Sequence, residues 1–191
     1  MTISGGLVLF RFVHYAGLLT LFGASLFPLY AYSRKDRGRT GSDRTLLFGA
    51  ALLSLAGCAG WFVFAVATMT DSMKMALDRE TLGSVIMETH FGAMWSMHLA
   101  MAAILAVITT ITFQARGKLR RPWIIATLSG LTLASLAGTG HTEAQEGADF
   151  ILHAGADSIH LLAAGAWLGG LVPLFSLVSR CLLYTSPSPR D

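Results

Sequence analysis

Five runs of apolar residues, each long enough to cross a bilayer, constrain this chain more than any other feature. They cover residues 7–32, 46–70, 91–113, 122–140 and about 152–178. A hydrocarbon core about 30 Å thick needs roughly 20 apolar residues per helical span. Lipid offers no partner to backbone N–H and C=O groups, so such runs must satisfy themselves as helices. The expected fold is therefore an all-α, polytopic transmembrane helical bundle. The composition agrees: 53% hydrophobic and 13% charged residues, with a mean hydropathy of +0.59, exclude an ordinary soluble domain. A net charge of +3 with the basic residues gathered in two short loops gives no nucleic-acid footprint.

Those loops set an orientation. The first connection carries Arg34, Lys35, Arg37, Arg39 and Arg44, and the third carries Arg116, Lys118, Arg120 and Arg121. The second balances Lys74 and Arg79 against Asp71, Asp78, Glu80 and Glu88, and the fourth holds only Glu143, Glu146 and Asp149. Basic loops stay in the cytoplasm, so the first and third connections are expected inside and the N-terminus outside, in the periplasm of a bacterium. The first apolar run is too long for a cleaved signal peptide, and its basic cluster follows it instead of preceding it. Cys58 lies mid-helix and Cys181 near the end, so no disulfide is expected. Residues 181–191, CLLYTSPSPRD, share no pattern with what precedes them and read as a translated sequencing adapter. That expectation leaves residues 1–180 as the transmembrane domain, with further helices lost beyond it.

With this topology all six histidines fall toward the outer side. His90, Met94, Met97, His98 and Met101 recur at i, i+4, i+7, i+8 and i+11, which is one face of a helix. His153, Asp157 and His160 share a face of the fifth run, with Trp167 two turns further on. His14 follows Arg11 on the first run, and His141 ends the fourth. Arg11 is free to snorkel outward or to pair with Asp157. Methionines on such helices usually pack, and a single histidine near an interface usually only hydrogen-bonds. Four helices delivering imidazoles to one level is harder to dismiss, because polar side chains in hydrocarbon are costly. Imidazole with thioether sulfur favours soft or borderline metals, copper foremost, and a carboxylate such as Asp157 can orient a ligating imidazole. His14, His98 and His160 lie deepest.

The segment His141-Thr-Glu-Ala, a short acidic loop, and then Asp157-Ser-Ile-His160-Leu-Leu-Ala-Ala-Gly-Ala-Trp167-Leu-Gly169-Gly170-Leu resembles the copper resistance protein D (CopD) family of bacterial inner-membrane proteins. Arg11-Phe-Val-His14, with Gly17 and Gly23, is similar to that family's first helix. The resemblance implies a multi-pass inner-membrane protein of copper import or homeostasis, working with the lipid bilayer around it and a periplasmic copper-binding protein of the CopC type. At roughly 20 residues per span, it also implies about eight spans, of which five stand here. His14, His141, Asp157, His160 and Trp167 carry the match.

The expected site thus comprises His14, His98, His141, His153, His160, Met94 and Met97 as copper ligands, with Asp157 and Trp167 beside them. The alternative is a membrane electron carrier holding haem b between paired histidines, such as His14 with His98 or His98 with His160. A third reading is a scaffold or sensor whose histidines answer external pH. The sequence shows no nucleophile–base pair, phosphate loop or hydrolytic zinc motif, so a non-enzymatic protein is expected.

Overall fold

The computed structural model describes residues 2–33, 44–115, 122–139 and 148–184. Among them every regular element is helical. Helix α1 spans Ile3–Ala31 and α2 spans Arg44–Thr70; the short α3 (Met73–Ala76) and α4 (Arg79–Glu88) follow. Next come α5 (His90–Gln114), α6 (Pro122–Ser135), α7 (Ala148–Ala164) and α8 (Gly170–Tyr184). Four helical stretches are long and apolar enough to cross a membrane: Ile3–Ala31, Arg44–Thr70, His90–Gln114 and Ile151–Ser179.

The run expected as the fourth span is shorter as an α-helix. It stops at Ser135 and continues as a 3-10 turn over Leu136–Thr139. At their usual rises these two pieces together reach about 29 Å. The last long stretch is not one uniform helix either, because a π turn at Gly165–Gly169 separates α7 from α8. The terminal segment read as an adapter begins within α8, whose backbone stays helical to Tyr184, and its remainder lies outside the described residues.

Helix α1 sits at the middle of the assembly, packed against α2, α6, the π turn and α8, while α5 closes the group by packing on α2 and α6. Hydrophobicity alone cannot drive helices together in lipid, so close packing through small residues does much of the work. The glycines show where. A Cβ at Gly57 of α2 would lie 2.5 Å from the backbone N of His14, and one at Gly17 of α1 would lie 2.7 Å from the Ser54 N. One at Gly169 would lie 2.0 Å from the Leu19 carbonyl oxygen, and one at Gly23 would lie 2.4 Å from that of Gly165. Glycines of α1, α2 and the π turn are therefore crossing points for backbones. Leu18, Leu21, Val66, Leu105 and Leu133 fill the space between, whereas Val8, Phe12, Ile104, Leu131 and Phe175 face outward, as lipid permits.

The second connection forms α3 and α4. Its turn begins at Asp71, whose φ of 49° is the one positive non-glycine value among the described residues. Met73, Leu82 and Val85 pack back onto the core, and Met87 is exposed. Asp78 caps α4 by accepting from the Thr81 N–H at 3.0 Å and the Thr81 hydroxyl at 3.1 Å. These bonds favour the ionised carboxylate and hold its pKa below the usual range, the backbone bond contributing most.

Two outcomes follow from this packing. Gly57→Val forces α1 and α2 apart at His14 and should cost about 1–3 kcal/mol, read as a lower Tm in detergent. Gly49→Val, where an added Cβ meets nothing within 4 Å, should leave the Tm unchanged. Amide protection at the start of α4 should persist above the ordinary carboxylate range and fade as pH falls through the depressed value for Asp78. Asp78→Ala should lack that pH dependence in hydrogen exchange.

Candidate metal centre

The Gly57 crossing brings the α1 backbone at His14 hard against α2. The imidazole then turns inward and is fully buried. Its Nδ1 lies 2.8 Å from the carbonyl oxygen of Ser54 and 3.2 Å from the Ser54 hydroxyl. From α5, His98 enters the same space with 1% exposure. Its Nδ1 lies 2.9 Å from the Ser135 hydroxyl at the end of α6. The two Nε2 atoms face each other at 2.9 Å. Four helices thus contribute to one buried polar chain.

Proton accounting limits how this chain can be arranged. A carbonyl only accepts, so His14 Nδ1 carries the proton that bonds Ser54, and a neutral His14 presents a lone pair at Nε2. His98 must then donate from its own Nε2, with Nδ1 accepting from the Ser135 hydroxyl. The alternative tautomer puts the His98 proton on Nδ1, pointing at the Ser135 oxygen. Ser135 accommodates both, because its Oγ also lies 2.7 Å from the Thr132 carbonyl and can donate there instead. In that second state both Nε2 lone pairs point into the gap. Two lone pairs at this distance repel, and a metal ion binding both nitrogens at about 2.0 Å would draw the rings apart.

Aromatic rings wall the pair. Trp95 stacks on His98 at 5.3 Å with the planes 4° apart, and Trp61 lies 5.9 Å from His14. Trp61 and Trp95 meet edge to face at 4.6 Å. The Trp95 indole N–H is buried without a hydrogen-bond partner. The Arg11 guanidinium, a candidate partner for Asp157 on sequence grounds, lies 5.2 Å from the centre of the Trp61 ring. Cys58, one residue beyond Gly57 on α2, is fully buried. Its sulfur and one nitrogen from each of His14 and His98 lie within 4.8 Å of one another.

The other expected site residues are not gathered here. Met94 and Met97 share α5 with His98, but Met94 is only half-buried and Met97 is 50% exposed. His153, Asp157 and His160 are exposed on α7, and Trp167 is 70% exposed in the π turn. His141 lies outside the described residues. Sequence reasoning missed Cys58, Ser54 and Ser135. For Cys58 the available signal was its place one residue after a glycine in an apolar helix; the serines gave none.

The donor set can be tested against both expected groups. A haem held by two imidazoles has its macrocycle between the ligating nitrogens. The His14 and His98 nitrogens are in direct hydrogen-bond contact, so this pair as arranged does not fit haem. Two imidazoles and a thiol, held without a carboxylate, do fit a soft or borderline metal. The Ser54 carbonyl and the Ser135 hydroxyl orient the two rings from behind, as the outer hydrogen bonds of histidine ligands commonly do.

Comparison with known proteins bears on the whole chain. The profile described as "Copper resistance protein D-like, N-terminal domain" matches residues 1–151. Copper resistance protein D of Pseudomonas syringae pv. tomato is 32% identical over 173 residues, which is 89% of this chain and 54% of that protein. Inner membrane protein YebZ of Escherichia coli (strain K12) is 25% identical over 166 residues, 86% of this chain and 55% of that protein. The chain therefore spans about half the length of these curated relatives. No solved structure matches it.

The imidazole pair itself can be measured. His14→Leu and His98→Leu each strand the other ring's buried nitrogen, which should cost about 1–3 kcal/mol. The double variant should be destabilised by less than the sum of the two, with a coupling of about 0.5–3 kcal/mol in a double-mutant cycle. Strict additivity would mean that the rings do not meet.

Proposed function

The chain belongs to the copper resistance protein D-like family, and on that premise we propose that it handles copper at the buried His14–His98 pair. It is a multi-pass inner-membrane protein. One observation carries the proposal: two histidines from different helices meet nitrogen to nitrogen in the bundle interior, each oriented by an oxygen behind it. A dry interior admits few polar groups, so this arrangement calls for a use.

The function is copper import or homeostasis, not catalysis. Copper enters from the end of the bundle that holds the start of α5, which the basic loops assign to the periplasm. His90, Met94 and His98 lie on one face of α5 and lead inward, with Met97 beside them. The pair sits about 12 Å along α5 from its first residue. His153 and His160 on α7, with Asp157 between them in sequence, are further donors that would receive copper before it reaches the pair, and His141 and Trp167 are candidates for the same role. A periplasmic CopC-like protein is the carrier that delivers it.

Copper uptake into cells producing His14→Ala or His98→Ala should fall to the level of cells lacking the protein, with equal amounts of each variant in the membrane. Ser135→Ala keeps both ligands but removes the oxygen behind His98, and copper affinity should drop about 10-fold or more. His160→Ala should slow uptake without abolishing binding to the purified protein. Wild-type uptake in both single variants of the pair would remove the site from this account.

A further inference from the structure

Two nitrogens alone do not define which copper ion a site prefers, and the third side chain of the cluster does. We propose that Cys58 is the third donor to copper beside His14 and His98, and that the trio selects monovalent copper over divalent ions. This rests on the reading of the pair as a copper site and specifies the substrate of that same site.

The first argument is geometric. Metal–imidazole bonds of about 2.0 Å place two ligating nitrogens about 4 Å apart in a linear arrangement and about 3.5 Å apart in a trigonal one. The observed separation is 2.9 Å, so three-fold coordination asks less movement of the two rings than two-fold coordination does. The only described His, Cys, Asp or Glu side chain able to supply the third bond is Cys58, whose sulfur already lies within 4.8 Å of one nitrogen of each ring.

The second argument is charge. The trio is buried and contains no carboxylate. When Cu(I) binds, a Cu–S bond forms, the thiol S–H bond breaks, and the proton leaves to bulk water; no electron is transferred. The product carries no net charge, as one positive ion meets one thiolate and two neutral imidazoles. A divalent ion bound in the same way leaves one uncompensated positive charge inside the bundle, where desolvation penalises it. Ligand softness acts in the same direction, since thiolate prefers Cu(I).

The test uses the purified chain in detergent, titrated with Cu(I) under reductant against a chromophoric Cu(I) chelator, and separately with Zn(II). The wild type should bind one Cu(I) per chain, with one sulfur and two nitrogens in the X-ray absorption spectrum and a thiolate-to-copper band in the near ultraviolet. Zn(II) should bind at least 100-fold more weakly. Cys58→Ser should lose the sulfur signal and the band, and its Cu(I) affinity should fall at least 10-fold; Cys58→Ala gives the same readout if the serine variant folds poorly. A Cys58→Ser protein that binds Cu(I) as the wild type does, or keeps its sulfur scatterer, overturns the role of Cys58 and leaves the histidine pair standing. Zn(II) binding as tight as Cu(I) overturns the selectivity. Cu(I) binding untouched in His14→Ala and His98→Ala overturns the underlying copper site instead.

Discussion

A buried imidazole has two nitrogens to satisfy, and hydrocarbon satisfies neither. In this protein His14 and His98 solve half of that problem with each other, and the oxygens of Ser54 and Ser135 solve the rest. The requirement reaches well beyond the rings. Helix α1 must approach α2 closely enough for an imidazole to touch a backbone carbonyl, which only glycine at position 57 allows. Helix α6 must end where the Ser135 hydroxyl can meet α5. The polar chain therefore fixes the relative depth of α1, α2, α5 and α6, much as a single buried polar residue fixes register in a coiled coil.

The same chain accounts for the aromatic wall. Trp61 and Trp95 pack against the buried pair, and the stacked Trp95 ring limits how His98 can turn. A site enclosed in this way is surrounded by a medium of low dielectric constant, so the net charge of ion and ligands together decides how well the ion is held. That link between burial and ion charge connects the packing of the bundle to its proposed copper chemistry.

The apolar runs made the helices legible in the sequence, and Gly17, Gly23 and Gly169, which lie in the segments that carry the family resemblance, are places where backbones cross. The depth of His14 and His98 also set them apart from the interfacial histidines. His160 looked equally deep, yet it lies exposed on α7. Periodicity groups residues onto a face but cannot say which face meets protein, because in a membrane both the lipid side and the packed side of a helix are apolar. The Cys58 sulfur and the two serines were illegible for a related reason: the histidines they meet lie 37 or more residues away on other helices. The early end of α6 escaped notice because Leu136 and Ala137 are as apolar as the helix before them.

The π turn at Gly165–Gly169 is where the last long stretch departs from regularity. One additional residue in a helical turn rephases everything after it by about 100°. The stripe of His153, Asp157 and His160 thus does not continue in line down α8. The two halves of this stretch accordingly answer to different neighbours: α7 packs on α6, whereas the turn itself and α8 pack on α1.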